Sequence, residues 1–307
     1  MILCCGDALI DMLPRALPGG EAVFLPAAGG AVFNTAIALG RMGEETGFLC
    51  GLSNDLFGAR LATALDQAKV DHSLCVRSDR PSTLAFVSLK DGHAQYRFYD
   101  ENTAGRMLAP ADLPVVPARV SALHFGAISL IGEPCGSAYE ALAAREAPRR
   151  LISLDPNIRP GFVSDEAAYR GRLARMLAIA DIVKLSDDDL SWLAPGRAFG
   201  EVADHWLAGR TAVVVLTRGA DGALARTRHG ETAVAAVRTT VVDTVGAGDT
   251  FNAGFLAGLR RAGLIGRTAL GAAEPERLRP ALELAARAAA VTVSRAGADP
   301  PWAHELA

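Results

Sequence analysis

Thr239-Thr240-Val241-Val242-Asp243-Thr244-Val245-Gly246-Ala247-Gly248-Asp249-Thr250-Phe251-Asn252-Ala253-Gly254 is the stretch on which the reading of this chain turns. A β-branched run leads into a turn of small residues, and the turn leads into a helical pattern. The first turn of a helix leaves backbone N–H groups without intrahelical partners, and with the helix dipole they form an anion site. Small residues at Gly246, Ala247 and Gly248 let a phosphate approach the backbone closely. Asp249 is then the anomaly. A carboxylate here can simply cap the helix. Beside a bound phosphate it repels the anion, unless it takes a proton from an attacking hydroxyl. The two glycines and the upstream Asp243 favour the catalytic role.

Two familiar phosphate loops do not fit. A Walker A loop needs G-x-x-x-x-G-K-[ST], which the chain lacks. The dinucleotide fingerprint needs a third glycine where Phe251 stands. A P-loop ATPase and a Rossmann dehydrogenase are both disfavoured.

Outward from this stretch, short apolar runs alternate with helical patterns. Residues 2–5, 46–50, 122–125, 151–154, 182–184 and 212–217 read as strands, several of them apolar on both faces. Residues 32–42, 57–67, 136–145, 167–180, 202–208, 250–261 and 281–293 read as helices. The alternation predicts an α/β fold whose mainly parallel sheet is covered on both sides. Glu21–Pro26 and Thr83–Tyr99 break the rhythm. The second contains Lys90-Asp91-Gly92-His93, a hairpin signal, so a small separate sheet is expected. No linker divides the 307 residues, which read as one domain.

Composition narrows the class. Half the residues are hydrophobic, 21% are charged and the net charge is −3, so neither disorder nor nucleic-acid binding is indicated. The only lysines are Lys69, Lys90 and Lys184. Five cysteines without a C-x-x-C suggest neither a disulfide framework nor a zinc site. Cys4 and Cys5 are adjacent on a strand and so face opposite ways. With no signal peptide and no membrane span in view, a cytoplasmic protein is expected.

Four further segments could carry chemistry. Gly29-Gly30 precede a helix in which Asn34 lies about one turn along, and Asn34 can both donate and accept. Asp11 follows the first strand and could bind hydroxyls or merely shape a turn. Asp155-Pro156-Asn157-Ile158-Arg159-Pro160 lies past a strand end, where open α/β sheets bind ligands; Arg159 suits phosphate or a surface carboxylate. Lys184-Leu185-Ser186-Asp187-Asp188-Asp189 opens a helix. Its acids either cap it or hold magnesium through water. Thr217, Gly219 and Gly222 follow another strand and either border a nucleotide or form a tight turn.

Taken together, these segments resemble the ribokinase-like carbohydrate kinases, the PfkB family. Asp243-Thr244-Val245-Gly246-Ala247-Gly248-Asp249-Thr250-Phe251 is similar to the family's D-T-x-G-A-G-D-x-F signature. Gly29-Gly30-Ala31-Val32-Phe33-Asn34 is similar to G-G-x-x-x-N, and Gly51-Leu52-Ser53-Asn54-Asp55-Leu56-Phe57-Gly58 to G-x-x-x-D-x-F-G. Order and spacing agree across essentially the whole chain. Within the family, residues 6–14, 98–108 and 184–187 look most like bacterial fructokinases.

The resemblance implies a three-layer ribokinase-like fold with a small β lid, formed by about residues 10–28 and 82–103, through which two copies can pair. It implies ATP and Mg²⁺, and allows K⁺ beside Asp243 and Val245. Asp249 would be the general base, with backbone N–H groups of 246–249 as the anion hole. Asp11, Gly29, Gly30, Asn34 and Arg159 would face the sugar or the transferred phosphate. Lys184, Ser186, Thr217, Gly219, Gly222 and Gly248 would border the nucleotide. Asp189 stands where many members carry Glu, and would hold metal through water. Residues 285–291 offer only Ala, Val and Arg287, so contacts to the base would be mostly apolar. Fructose is the expected substrate. A keto-deoxy sugar acid such as 2-keto-3-deoxygluconate would need a cation, for which Arg97 or Arg106 is available. A sugar-binding regulator without catalysis is the reading from another class.

Overall fold

The computed structural model describes residues 1–90 and 93–306, without the side chains of 87–96. In chain order the strands are β1 (Ile2–Cys5), β2 (Leu9–Ala16), β3 (Ala22–Gly29), β4 (Thr46–Leu49), β5 (Gly51–Ser53), β6 (Val76–Ser78), β7 (Leu84–Lys90), β8 (His93–Tyr99), β9 (Ala122–Gly126), β10 (Leu151–Asp155), β11 (Ile182–Ser186), β12 (Val213–Thr217), β13 (Ala223–Thr227) and β14 (Gly230–Val234). The helices are α1 (Ala31–Arg41), α2 (Leu56–Gln67), α3 (Cys135–Glu146), α4 (Glu166–Ile179), α5 (Asp187–Leu193), α6 (Phe199–Leu207), α7 (Ala247–Arg261), α8 (Arg267–Gly271) and α9 (Arg279–Val293).

The central sheet has eight strands in the order β14-β13-β12-β11-β10-β9-β1-β4. From β4 to β12 every pairing is parallel, and β13 and β14 close the far edge antiparallel. The six parallel strands correspond to the six apolar runs of the sequence. Alternate side chains feed two separate cores. Ile2, Cys4, Val213 and Val215 pack under α1, α2, α7 and α9. Leu3, Cys5, Val214 and Leu216 pack under α3, α4 and α6. Cys4 and Cys5 therefore do face opposite layers. This is why the strands read as unbroken apolar runs: neither face meets water.

The two segments that broke the rhythm supply β3, β7 and β8 of a second sheet, and β2 joins them in the order β3-β2-β7-β8, with β2 and β7 parallel. The Asp91-Gly92 turn expected between β7 and β8 lies outside the described residues. The β-branched run Thr239–Val242 forms no strand. It is exposed, and the N–H groups of Val242 and Asp243 donate to Val293 O at 2.8 and 3.2 Å.

Helix α7 carries the decisive sequence at its start, and α9 sets its position. Glycines on α7 allow the two helices unusually close. A Cβ on Gly254 would stand 2.6 Å from Ala285 Cα, and one on Gly258 would stand 2.4 Å from Ala281 Cα. Both neighbours are backbone and cannot step aside as a flexible side chain would. Alanine gains roughly 1 kcal/mol over glycine in a free helix. Overpacking costs about 1–3 kcal/mol and should win here. Gly258→Ala is expected to lower stability in urea unfolding; equal or greater stability would show that the helices can separate freely.

Candidate active site

Two helix N-termini and two strand ends converge on one cleft. Its walls include Ala31 and Thr35 of α1, Gly126 at the end of β9, Asp155 at the end of β10, and Asp249 and Asn252 of α7. The cleft is open to solvent and spans about 140 Å³. It lies at the carboxyl ends of the parallel strands, where such sheets bind their ligands.

Gly246 begins the site. It caps α7 in a left-handed conformation, φ 78°, and a Cβ there would stand 2.7 Å from Ala298 Cβ. Asp243 holds the approach to this turn, accepting from Val245 N at 3.0 Å and from Gly297 N at 2.8 Å. Of the N–H groups expected to form the anion hole, that of Ala247 is diverted into a turn onto Thr244 O at 3.3 Å. Those of Gly248 and Asp249 have no acceptor among the described residues.

Asp249 is buried, at 7% exposure. Its Oδ2 accepts from Asn34 Nδ2 at 2.9 Å, and its backbone carbonyl accepts from Thr35 Oγ1 at 3.2 Å. It is therefore not a cap of its own helix: its side chain faces α1. Burial pushes its carboxyl up to about 7; Asn34 opposes this, Asp155 and Asp7 add to it, and Lys184 also opposes it.

The N-terminus of α1 is capped by Asp7, which the sequence reading did not single out. Asp7 Oδ2 accepts from Ala31 N at 2.8 Å and Oδ1 from Val32 N at 3.4 Å. Gly30, at φ 114°, lies so close that a Cβ would meet Asp7 O at 2.6 Å. Gly29 is equally constrained, since a Cβ there would stand 2.3 Å from Asp11 Oδ2. Burial and the Asp7 charge push the Asp11 carboxyl up to about 6. An aspartate one residue after a glycine at the first strand's end was the available signal for Asp7.

A second polar group sits on the strand ends. Asp155 Oδ2 accepts from Lys184 Nζ at 3.1 Å and from Asn252 Nδ2 at 2.6 Å, while its Oδ1 is buried with no hydrogen-bond partner. Burial alone would lower the lysine, but the Asp155 and Asp189 carboxylates hold it above its ordinary value. His124 on β9 is buried beside Ser153 Oγ at 3.1 Å, and burial, then Lys184, push it down to about 3. In an apolar strand this neutral histidine carried no sequence signal.

Other expected site residues fall less centrally. Ser186 and Asp189 form a reciprocal cap at the start of α5. Asp189 Oδ2 accepts from Ser186 N and Oγ at 2.9 and 2.7 Å, and Oδ1 accepts from Ile158 N at 2.7 Å. These bonds satisfy both oxygens of the buried Asp189 carboxylate. No group of three or more potential side-chain ligands occurs among the described residues. Thr217 Oγ1 donates to Leu185 O at 3.1 Å. Gly219 is exposed at the strand end, whereas Gly222 is buried with Val234 O at 2.1 Å from where a Cβ would lie, so it serves the fold. Arg159 is exposed and donates to Ile158 O.

Arg97 needs correction. Asp11 pairs with Ala85 and Ala85 with Phe98, so these three share one face of the small sheet. Arg97 pairs with Phe86 and lies on the other face, turned away from Asp11. The side chain period of two in a strand decides this. Arg106, the alternative cation, donates to Asp100 Oδ2 at 2.6 Å and to Glu133 O at 2.7 Å.

Known proteins resemble this chain over most of its length. The chain is 53% identical over 279 residues to a fructokinase of Rhizobium leguminosarum bv. trifolii, covering 91% of this chain and 86% of that one. The fold superposes on a fructokinase of Xylella fastidiosa solved with bound ATP, with a TM-score of 0.89, 30% identity and 99% and 96% of the two chains covered. It also superposes on a fructokinase of Vibrio cholerae O395 in a fructose-, ADP- and calcium-bound form, with a TM-score of 0.82, 26% identity and 97% and 94% covered. The model of the pfkB family carbohydrate kinases matches residues 4–305. On this match, and with Asp249 set behind Gly246-Ala247-Gly248 at the start of a helix, the chain belongs to the pfkB family of carbohydrate kinases.

Proposed function

We propose that this protein is an ATP-dependent fructokinase, transferring the γ-phosphoryl group to the 6-hydroxyl of D-fructose with Asp249 as general base. The observation that carries the reading is the placement of Asp249. It is a buried carboxylate at a helix start whose neighbouring N–H groups are free, with a proton affinity set near neutrality. The similarity to fructokinases supplies the sugar.

In this reading fructose lies between the Asp11 face of the small sheet and the start of α1, against Gly29, Gly30 and Asn34. Asp249 accepts the hydroxyl proton as the sugar oxygen bonds to the γ-phosphorus and the bond to ADP breaks. The N–H groups of Gly248 and Asp249 meet the charge spreading over the phosphoryl oxygens. The nucleotide borders Thr217 and Gly219, and the exposed Val241, Val242 and Val245 offer apolar cover for its base. Mg²⁺ would neutralise phosphate charge. The unpartnered Asp155 Oδ1 suits a metal-bound water, whereas Asp189 has both oxygens engaged. K⁺ would sit beside Asp243 and Val245, where each Asp243 oxygen accepts only one N–H. The four-stranded sheet would act as a lid that excludes water. Its outer face carries Phe24, Phe86 and Tyr99 in edge-to-face contact at 5.0 and 5.4 Å, with Phe24 and Tyr99 about half exposed. That face would pair two copies. A cytoplasmic location is in keeping with five free cysteines.

Asp249→Asn tests the base. It should keep ATP affinity and lose about 10²–10⁴-fold in turnover. The same variant tests the electrostatics. The carboxyl's folded value, about 7, lies above its ordinary 3.8, so the unfolded state releases the proton first and the parent loses stability as pH rises from 3.8 to about 7. Asp249→Asn should therefore melt higher than the parent at pH 8 and alike at pH 4. Near-normal turnover, or no pH-dependent gain in stability, would remove these assignments.

ADP release over fructose, mannose, ribose, 2-keto-3-deoxygluconate and adenosine, in KCl and in tetramethylammonium chloride, tests the substrate and the cation. Fructose in KCl should give the highest kcat/KM. The outward Arg97 and the engaged Arg106 disfavour the sugar acid, whose preference would make this a 2-keto-3-deoxygluconate kinase. No ADP release with any sugar would indicate a non-catalytic sugar-binding regulator. Light scattering tests the pairing: the parent should be a dimer and Phe24→Asp a monomer.

A further inference from the structure

Cys50 and Cys75 meet beyond the β4 edge of the central sheet. Cys50 joins β4 to β5, Cys75 precedes β6, and β5 and β6 pair in parallel with Gly51 opposite Val76. One step back along that register the two cysteines stand side by side, and Val76 N donates to Cys50 O at 2.9 Å. Their sulfurs lie 3.9 Å apart. Cys75 Sγ also donates to Phe48 O at 3.4 Å, which leaves Cys50 as the donor between the two sulfurs. Cys50 is buried and Cys75 is half-buried. Hydrogen bonds from Cys50, and then the Arg77 guanidinium two residues along, hold the Cys75 thiol below its ordinary value against burial. The other three cysteines differ. Cys4, Cys5 and Cys135 are buried, and burial pushes their thiols up.

The strands beside this pair hold both roots of the four-stranded sheet. Beyond β6 the chain enters β7 through Pro81, Ser82 and Thr83. Asp55, just past β5, accepts from Ser82 N at 2.8 Å and from Ser82 Oγ at 2.7 Å. The chain leaves β8 through Thr103 and Ala104. Thr103 Oγ1 bonds Thr83 Oγ1 at 2.8 Å, and Ala104 N donates to Pro81 O at 2.9 Å. A Cβ on Gly51 would stand 2.0 Å from Ala104 O, so β5 packs backbone against backbone on the returning root. The catalytic end of the core is near as well. The hydrogen bond to Cys75 and burial push the Cys50 thiol up, and the Asp7 carboxylate that caps α1 adds to this.

We propose that Cys50 and Cys75 are a redox modification site, where a peroxide forms a reversible disulfide that draws β5 and β6 together and slows sugar phosphorylation. The slowing rests on the kinase reading and the lid role given above. Cys75 loses its proton and its sulfur attacks the peroxide, breaking the O–O bond to give a sulfenic acid and one water. Cys50 then attacks that sulfur, the S–S bond forms, the S–O bond breaks, and its proton leaves with the oxygen as a second water. The two thiols are oxidised by two electrons and the peroxide is reduced by two. Neighbouring strands lie about 4.8 Å apart, inside the Cα separation of roughly 4.4–6.8 Å that a disulfide spans. The Cβ atoms, however, must close to about 3.8 Å. That pull acts one residue from Gly51 and Val76, whose strands carry the roots of the lid. Disulfides that form and break inside a reducing compartment serve sensing, not framework.

Hydrogen peroxide, followed by dithiothreitol, tests the site on the full chain. The oxidised protein should lose two of its five free thiols. Its tryptic digest should join the peptide of residues 42–60, which holds Cys50, to that of residues 70–77, which holds Cys75. Turnover of fructose and ATP should fall about 10–10²-fold, the scale of a 1 Å displacement far from the chemistry, and dithiothreitol should restore it. Cys75→Ser and Cys75→Ala should match the reduced parent and keep that turnover after peroxide. Cys50→Ala should instead leave a sulfenic acid on Cys75 that dimedone captures. Five thiols remaining after peroxide, or a bond to any other cysteine, would overturn the site. A Cys50–Cys75 bond with unchanged turnover would overturn the regulation, as would equal inactivation of Cys75→Ser. Absence of ADP release by the reduced parent would count against the kinase reading; the thiol count and the joined peptides decide the bond independently of it.

Discussion

The hydrogen bond from Asn34 to Asp249 joins residues 215 positions apart, and the site depends on it. It links the first turn of α1 to the first turn of α7, so two helix N-termini face one small volume. Thr35 reinforces the link from the next position of α1, through the Asp249 carbonyl. Two positive helix ends beside a buried carboxylate create opposing demands. The dipoles favour negative charge, while burial resists it. The result is a carboxyl held near neutrality, ready to exchange a proton, beside N–H groups that have no acceptor of their own.

The sheet supplies the opposite wall. Six parallel strands are apolar on both faces along their length and turn polar at their carboxyl ends, where Asp155, Lys184 and His124 meet. An ionic pair at this depth does little for stability, because desolvation offsets most of the attraction. The pair is also incomplete, with one oxygen of Asp155 and two donors of Lys184 unmatched. Incomplete matching of this pair is a cost that the fold tolerates at its cleft.

Much of this was legible in the chain. Apolar runs located the parallel strands, and adjacent Cys4 and Cys5 fell into different cores as their alternation required. Gly246-Ala247-Gly248-Asp249 marked a helix start that binds anions. Other features were not legible. Thr239–Val242 has strand propensity, but no partner strand stands beside it, so it stays irregular. Arg97 lies on the outer face because one step along a strand reverses the side chain, and only the pairing register reveals which step applies. The sequence left Asp189 as either a helix cap or a holder of metal through water; its oxygens accept from Ser186 and from Ile158, a residue of a different segment that no local pattern points to.

By itself the sequence determined the layered fold and the phosphate-binding helix start, because both depend on local patterns: apolar periodicity and free N–H groups beside small residues. Tertiary structure alone decided that Asp249 is buried against Asn34 instead of capping its own helix, and that Lys184 rests under Gly248 in the grip of Asp155. Those facts depend on contacts between segments far apart in the chain, and on desolvation that exists only once the layers close.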